Sequence, residues 1–344
     1  MIGDFPKSNI QSQISNLKYP ISNIQYPISN IQYPMISIVI PLYNKAQSIE
    51  NTIRCIQAQT YQDFEIVVVD GWSKDGSLEI IKRLAEEDKR IRVLMQVDKH
   101  GVTPARNESI AAAKSERIAF IDADDYWEPT YLETLVKLMG DYPEAGLWGL
   151  NYGTMVEKNK YPNQSAYAGY RGIIENPWIK GSPYWTSAIG ISKKAFEAVD
   201  GFDNRIIYGE DIDLWYRLIL EFPCAYEDKV LSYYRVDAEN RACEHTFPLK
   251  IHIPYYIDKY EKYRKANKDF RRFFDLQCLY RLYPYAVEGV YKEELKQCLA
   301  PIDWSLQKKS MRFRFRFPKI YNLYRRLKGQ KDRELEQYQG GMME

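Results

Sequence analysis

Cysteine and histidine are scarce in this 344-residue chain, and their scarcity excludes several chemistries. The five cysteines (Cys55, Cys224, Cys243, Cys278 and Cys298) are odd in number, far apart and never in a Cys-x-x-Cys pair. That argues against a disulfide framework and against a zinc site, and it fits a reducing compartment. Three histidines (His100, His245 and His252) are too few for a multi-histidine metal centre. Long apolar runs are missing too: no stretch approaches the ~20 residues that a membrane-spanning helix requires. The N-terminus has no continuous apolar segment of the kind a secretory signal carries. A soluble or peripheral protein is expected. Net charge is only +2, so the molecule as a whole exerts no strong field, whatever its local segments do.

What is present is a core-forming composition: 45% hydrophobic and 27% charged residues, ordinary for a globular chain able to bury a sizeable core. Tyrosine is abundant, with 29 residues, and its flat body and polar tip suit sugar stacking and ordinary packing equally. The first 34 residues differ from the rest. Ile14–Pro20, Ile21–Pro27 and Ile28–Pro34 are near-identical seven-residue units, each ending in Tyr-Pro. A proline in every unit rules out a coiled coil despite the period. Residues 1–34 are expected to be disordered, with Met35 beginning the functional protein.

From Met35 the pattern alternates. Ile36–Ile40, Phe64–Val69, Ile91–Met95 and Arg117–Ile121 are short β-rich runs. Between them, helical patterns cover Ser48–Gln59, Gly76–Glu87 and about Thr103–Ala113, with Ser48 as the expected N-cap of the first. Such alternation predicts parallel strands joined by right-handed crossovers in a Rossmann-like sheet. Ligands of such sheets bind beyond the carboxyl ends of the strands. Aromatic-rich, strand-like pieces follow to about Arg235, and charged and aromatic residues at helical spacing run from His245 onward.

Two of the four strands run into acid. One leads to Asp70-Gly71-Trp72-Ser73-Lys74-Asp75-Gly76-Ser77, the other to Asp122-Ala123-Asp124-Asp125. At that rim an acid accepts hydrogen bonds from ribose hydroxyls or a base N–H. Three carboxylates in four residues need a cation, and hard oxygen ligands favour Mg2+ or Mn2+. Each segment also has a plain structural reading, Asp-Gly as a turn and the acid triplet as a helix cap or solvated loop. A third group, Gly209-Glu210-Asp211-Ile212-Asp213, opens a predicted helix; its acids suit the helix dipole, or Asp211 serves as a general base.

Ile38-Val39-Ile40-Pro41-Leu42-Tyr43-Asn44, the Asp70–Ser77 turn, Ala105-Arg106-Asn107, Asp122–Asp125 and Gly209-Glu210-Asp211 together resemble, in this order, the motif series of glycosyltransferase family 2. The resemblance spans about Met35 to Arg241 and implies the α/β GT-A fold: a mixed, mostly parallel Rossmann-like sheet flanked by helices. It further implies an inverting enzyme that moves a sugar from a nucleotide-diphosphate donor, a UDP-sugar above all, to an acceptor hydroxyl on a glycan or lipid-linked acceptor during cell-surface polysaccharide synthesis. By the same resemblance, Pro41, Tyr43, Asn44, Asp70, Arg106 and Asp122 border the donor, and Asp124 with Asp122 holds the Mn2+ or Mg2+. Asp211 is the catalytic base with Glu210 beside it, and Trp185, Thr186, Ser187 and Trp215 lie on the acceptor side. Two departures stand out. The turn reads Asp70-Gly71-Trp72-Ser73, without the family's usual second carboxylate, and Val236-Asp237 rather than a nearby histidine follows Tyr234-Arg235.

The expected organisation is a catalytic domain at 35–245 and a mainly helical extension at 246–344 carrying a basic segment at 308–331. That segment has no acidic residue and includes Arg312-Phe313-Arg314-Phe315-Arg316-Phe317. It suits the anionic cytoplasmic face of a bilayer; nucleic-acid binding and a plain solvated helix are the rival readings, of which the membrane is preferred. The alternatives for the whole chain are a sugar nucleotidyltransferase and a catalytically inactive GT-A binding protein. The first is disfavoured because Pro41-Leu42-Tyr43-Asn44-Lys45 lacks the glycines of a phosphate loop.

Overall fold

The first four strands are β1 (Ile36–Leu42), β2 (Phe64–Asp70), β3 (Ile91–Met95) and β4 (Arg117–Phe120). All seven residues of β2 and six of the seven in β1 are buried. A parallel strand covered by helices on both faces has this character, and it explains the unbroken Ile/Val runs. The computed structural model describes residues 34–97, 101–240 and 248–327. The repeat of residues 1–33, His100, Cys243, His245 and the end of the basic segment from 328 on lie outside the described residues.

Strand β1 pairs in parallel with β2 (Ile36↔Phe64 through Leu42↔Asp70) and with β4 (Ser37↔Ile118), and β2 pairs in parallel with β3. Helices α1 (Ile49–Gln57), α2 (Ser77–Glu87) and α3 (Val102–Ala112) occupy the crossovers. The expected α/β alternation is therefore present, and the carboxyl ends of β1, β2 and β4 share one rim. Ser48 departs from expectation: its hydroxyl makes no cap bond on α1 and instead donates to Glu239 Oε2 at 2.6 Å.

Beyond β4 come β5 (Tyr126–Trp127), α4 (Tyr131–Asp141), β6 (Leu147–Val156), β7 (Asn159–Pro162), β8 (Arg171–Ile173), β9 (Ile189–Ser192), α5 (Glu210–Glu221) and β10 (Cys224–Arg235). The sheet order is β3-β2-β1-β4-β9-β6-β10-β5, with β7 on β6 and β8 on β10. Strand β9 runs antiparallel to both β4 and β6, while β6 and β10 are parallel. The sheet is thus parallel at its first four strands and mixed beyond them.

Helix α5 joins two cores. Leu214, Trp215 and Leu218 pack with Val39, Phe120 and Ile191 of the sheet. Tyr216 packs with Trp178, Tyr260, Phe270 and Phe274. The second core belongs to the helical extension, which contains α6 (Lys268–Glu288), α7 (Lys292–Leu299), α8 (Lys309–Arg316) and α9 (Pro318–Leu327). Fully buried Asp213 on α5 fastens this junction, accepting from Arg217 Nη2 (2.6 Å), Lys259 Nζ (3.0 Å) and Tyr260 Oη (2.6 Å). A buried carboxylate persists only with such partners. The described cysteines, Cys55, Cys224, Cys278 and Cys298, are free and buried.

Candidate active site

The rim is built first by the loop leaving β1. Pro41 lies beyond the last β1–β4 pair, Val39↔Phe120, so its missing N–H costs no ladder bond on that side. Asn44 adopts a left-handed backbone (φ 51°), which asparagine tolerates better than most residues. There its N–H donates to Ser73 Oγ (3.0 Å), and its Oδ1 accepts from Lys74 N (2.9 Å). The next residue continues the stitching: Lys45 N donates to Ser77 Oγ at 2.8 Å. The Pro41–Asn44 and Asp70–Ser77 segments, 30 positions apart by the Asn44–Lys74 bond, are thereby one wall.

Asp70 sits at the base of that wall and is fully buried. Its Oδ2 accepts from Ser73 N at 3.0 Å, while its buried Oδ1 has no partner among the described residues. Tyr43 and Trp72, each about half exposed (53% and 52%), stand at the same rim.

The three acids after β4 have separate fates. Asp125 turns inward, accepting from Ser187 Oγ and from Arg235 N (3.2 Å); burial pushes its carboxyl well above the ordinary carboxylate range, with Asp124 and Asp122 adding to the effect. Asp124 is also buried and shifted upward by burial, against the pull of Lys45, whose Nζ lies 2.6 Å from its Oδ2. Asp122 stays one-third exposed and accepts from Arg106 Nη2 at 2.8 Å.

Arg106 explains why α3 is not simply amphipathic: its buried face carries an arginine. That guanidinium bridges Asp122 and Glu210, donating from Nη1 to Glu210 Oε1 at 2.7 Å. Burial works against its charge, but Asp122 and Glu210 outweigh burial and hold its pKa above the ordinary value. Burial raises Glu210 to about 8, with Asp211 adding and Arg106 opposing. Gly209, at φ +81°, makes the left-handed turn into α5 that brings Glu210 here. Asp211 follows, its Oδ2 accepting from Thr186 Oγ1 at 2.8 Å.

The predicted residues therefore fall into two linked groups. The β1 loop, the Asp70 turn and Asp124 meet through Lys45; Asp122, Arg106 and Glu210 meet directly, with Asp211 next in chain and tied to Thr186. Thr186, expected beside the acceptor, is buried and holds Asp211. Trp185 stacks on Tyr152 (5.0 Å between centroids) and meets Tyr234 edge-on. Trp215 departs from its expected acceptor role: it is 1% exposed, packed edge-on against Phe120 and Phe202, and so a core side chain. Lys45 and Glu239 were not singled out from sequence. Lys45 had a signal, a cation directly after the donor segment; Glu239 had none, because it acts through bonds to Ser48 and Gln47.

Residues 37–200 match the protein family described as glycosyl transferase family 2. Glycosyltransferase GlyG of Streptococcus pneumoniae is 41% identical over 96 residues, which are 28% of this chain and 32% of GlyG. Chondroitin synthase of Pasteurella multocida is 27% identical over 183 residues, 51% of this chain and 18% of that protein. The matched region thus spans a third or less of these relatives. Among solved structures, S. aureus TarS superposes with a TM-score of 0.60 over 80% of this chain and 50% of TarS, at 17% identity. TarS 1-349 in complex with UDP-GlcNAc superposes with a TM-score of 0.53 over 78% of this chain and 71% of that one, at 18% identity. These likenesses carry the fold, which is that of the GT-A glycosyltransferases, and the rim described above lies within residues 37–200 except for the start of α5, Arg235 and Glu239. The region from residue 37 to residue 200 is therefore a glycosyltransferase family 2 domain.

Proposed function

We propose that this chain transfers a sugar, with inversion, from a nucleotide-diphosphate sugar to an acceptor hydroxyl in cell-surface polysaccharide synthesis. The observation that carries this is the Asp122–Arg106–Glu210 bridge, which ties the donor-side acid to the first turn of the helix bearing Asp211. Asp70, with its unpartnered buried oxygen, suits a donor hydrogen bond from a nucleobase or ribose. Tyr43 and Trp72 offer flat faces beside it. A UDP-sugar is favoured, in keeping with TarS in complex with UDP-GlcNAc.

In this reading Asp211 takes the proton of the attacking hydroxyl, and the acceptor oxygen attacks the anomeric carbon on the face opposite the departing diphosphate. A positioned general base contributes about 10²- to 10⁴-fold, and Arg106 adds positive charge on the leaving side. The Mg2+ or Mn2+ expected from sequence does not fit the side chains as arranged. Lys45 occupies Asp124, Arg106 occupies Asp122, and Asp125 faces Ser187 and Arg235. Among the described residues no group of three or more His, Cys, Asp or Glu side chains is placed to hold an ion. No step is therefore routed through a metal.

The acceptor is proposed to be a glycan or a lipid-linked sugar met at the cytoplasmic face of a membrane. No described helix is long and apolar enough to cross a bilayer. Instead α9 turns an apolar stripe outward: Ile320, Leu323, Tyr324 and Leu327 are 59%, 59%, 49% and 80% exposed. Their spacing puts them on one helical face, and the neighbouring charge is all basic. Apolar insertion combined with cationic contact is how a helix lies on anionic lipid.

The test is sugar transfer and donor hydrolysis measured across UDP-, GDP-, CMP- and dTDP-sugars for the wild type and Asp211→Asn. The variant is expected to lose at least about 100-fold in kcat with nucleotide affinity kept. Wild-type turnover in Asp211→Asn, or no nucleotide binding at all, would count against the reading.

A further inference from the structure

The Lys45 ammonium stands where an acidic glycosyltransferase rim would be expected to hold a cation. Its Nζ is 2.6 Å from Asp124 Oδ2 and also donates to the backbone carbonyls of Glu239 and Asn240, the latter at 3.2 Å. An ammonium has three donors, and here all three meet oxygen. The cage is held from both sides. Lys45 is anchored through its own N–H to Ser77 Oγ, and Glu239 accepts from Ser48 Oγ (2.6 Å) and Gln47 N (3.1 Å). The ion pair is close to buried, with side-chain exposures of 12% for Lys45 and 10% for Asp124.

The other two acids of the Asp122–Asp125 segment are met in the same internal way, Asp122 by Arg106 and Asp125 by Ser187 Oγ and the Arg235 backbone N–H. Unneutralised, Asp122 and Asp124 would repel a diphosphate; with Lys45 and Arg106 in place they do not. We infer that Lys45 is the resident cation of the donor site, taking the place of a divalent ion against Asp124 so that a nucleoside diphosphate binds without metal. The inference rests on the glycosyltransferase reading above. Lysine suits the role as a compact point charge on a long stem that reaches phosphate oxygens. Exchange of one carbonyl bond for a phosphate oxygen is all that donor entry asks of it.

The test is calorimetric binding of UDP to the full chain, in EDTA and in Mn2+, for the wild type, Lys45→Met and Lys45→Arg. The wild type is expected to bind in EDTA within about threefold of its affinity in Mn2+. Lys45→Met is expected to lose at least about tenfold in EDTA and to recover in Mn2+, because the ion then fills the place beside Asp124. Lys45→Arg, which keeps the charge, should retain metal-free binding even if the methionine variant folds poorly. Wild-type binding that EDTA weakens more than about tenfold would overturn the inference while leaving the glycosyltransferase reading intact. So would unchanged metal-free binding by folded Lys45→Met. Absence of UDP binding in every arm would overturn both readings.

Discussion

Thr186 and Asp211 show how much of this site depends on single oriented atoms. Asp211 has two carboxylate oxygens; one accepts from Thr186 Oγ1 and the other from the adjacent Ile212 N–H. Together these bonds fix the plane of the carboxylate, and a general base works only when its lone pair meets the proton it removes. A hydrogen bond to a charged group contributes about 1.5–3 kcal/mol. If that energy is spent on orientation, Thr186→Val lowers kcat by roughly 10- to 100-fold with KM nearly unchanged, and Thr186→Ser restores most of it. Initial rates on the best donor measure this, and a valine variant with wild-type kcat would remove Thr186 from any positioning role. Trp215 teaches the opposite lesson: the family resemblance puts it on the acceptor side, yet here it fills the core between Phe120 and Phe202. A linear sequence does not say which face of α5 meets the sheet until both cores that share the helix are known.

At the scale of elements, α3 and α5 are joined by the Arg106–Glu210 pair, and that joint is sensitive to pH. Burial raises Glu210 from an ordinary 4.5 to about 8, so the folded protein binds a proton there that the unfolded chain has released. Between those two values the folded state holds more protons than the unfolded one, and stability falls as pH rises. Glu210→Gln removes this slope. Thermal melts from about pH 5 to about pH 8 should therefore show the variant gaining on the wild type as pH increases; parallel curves would mean that Glu210 titrates normally. The strand–helix pairs that carry the donor side were legible in sequence because each element announces itself locally, by runs of β-branched residues or by helical spacing. Strand β9 was not. Only four residues long, it enters antiparallel between β4 and β6, and nothing in Ile189–Ser192 states which strands it will separate.

Over the whole molecule, the extension shares a core with the catalytic domain, and α9, the last described helix, turns an apolar side outward. Phe313 and Phe317 are exposed (46% and 39%) just before α9, while Arg314 lies over the Tyr321 ring at 4.6 Å and Arg325 is buried. Arg312, Arg316 and Lys319 are exposed, and they are the cations that the proposed lipid contact would use. Each basic residue near such a surface contributes about 1 kcal/mol, so reversing all three to Glu should lower vesicle binding by more than about 100-fold. Flotation with phosphatidylserine vesicles, against phosphatidylcholine alone, checks this; undiminished flotation of the variant would dismiss α8 and α9 as a membrane face. Local pattern was enough to specify the alternating strands and helices, the parallel start of the sheet and the acids at its rim, because hydrophobic period and strand ends are properties of neighbouring residues. Folding in three dimensions alone decided what those acids meet: Lys45 reaches Asp124 across 79 positions, and Arg106 reaches Glu210 across 104. Charge pairing and burial depend on distance in space, so whether the acids at this rim wait for a metal or are already answered by the chain's own cations is written only in the folded structure.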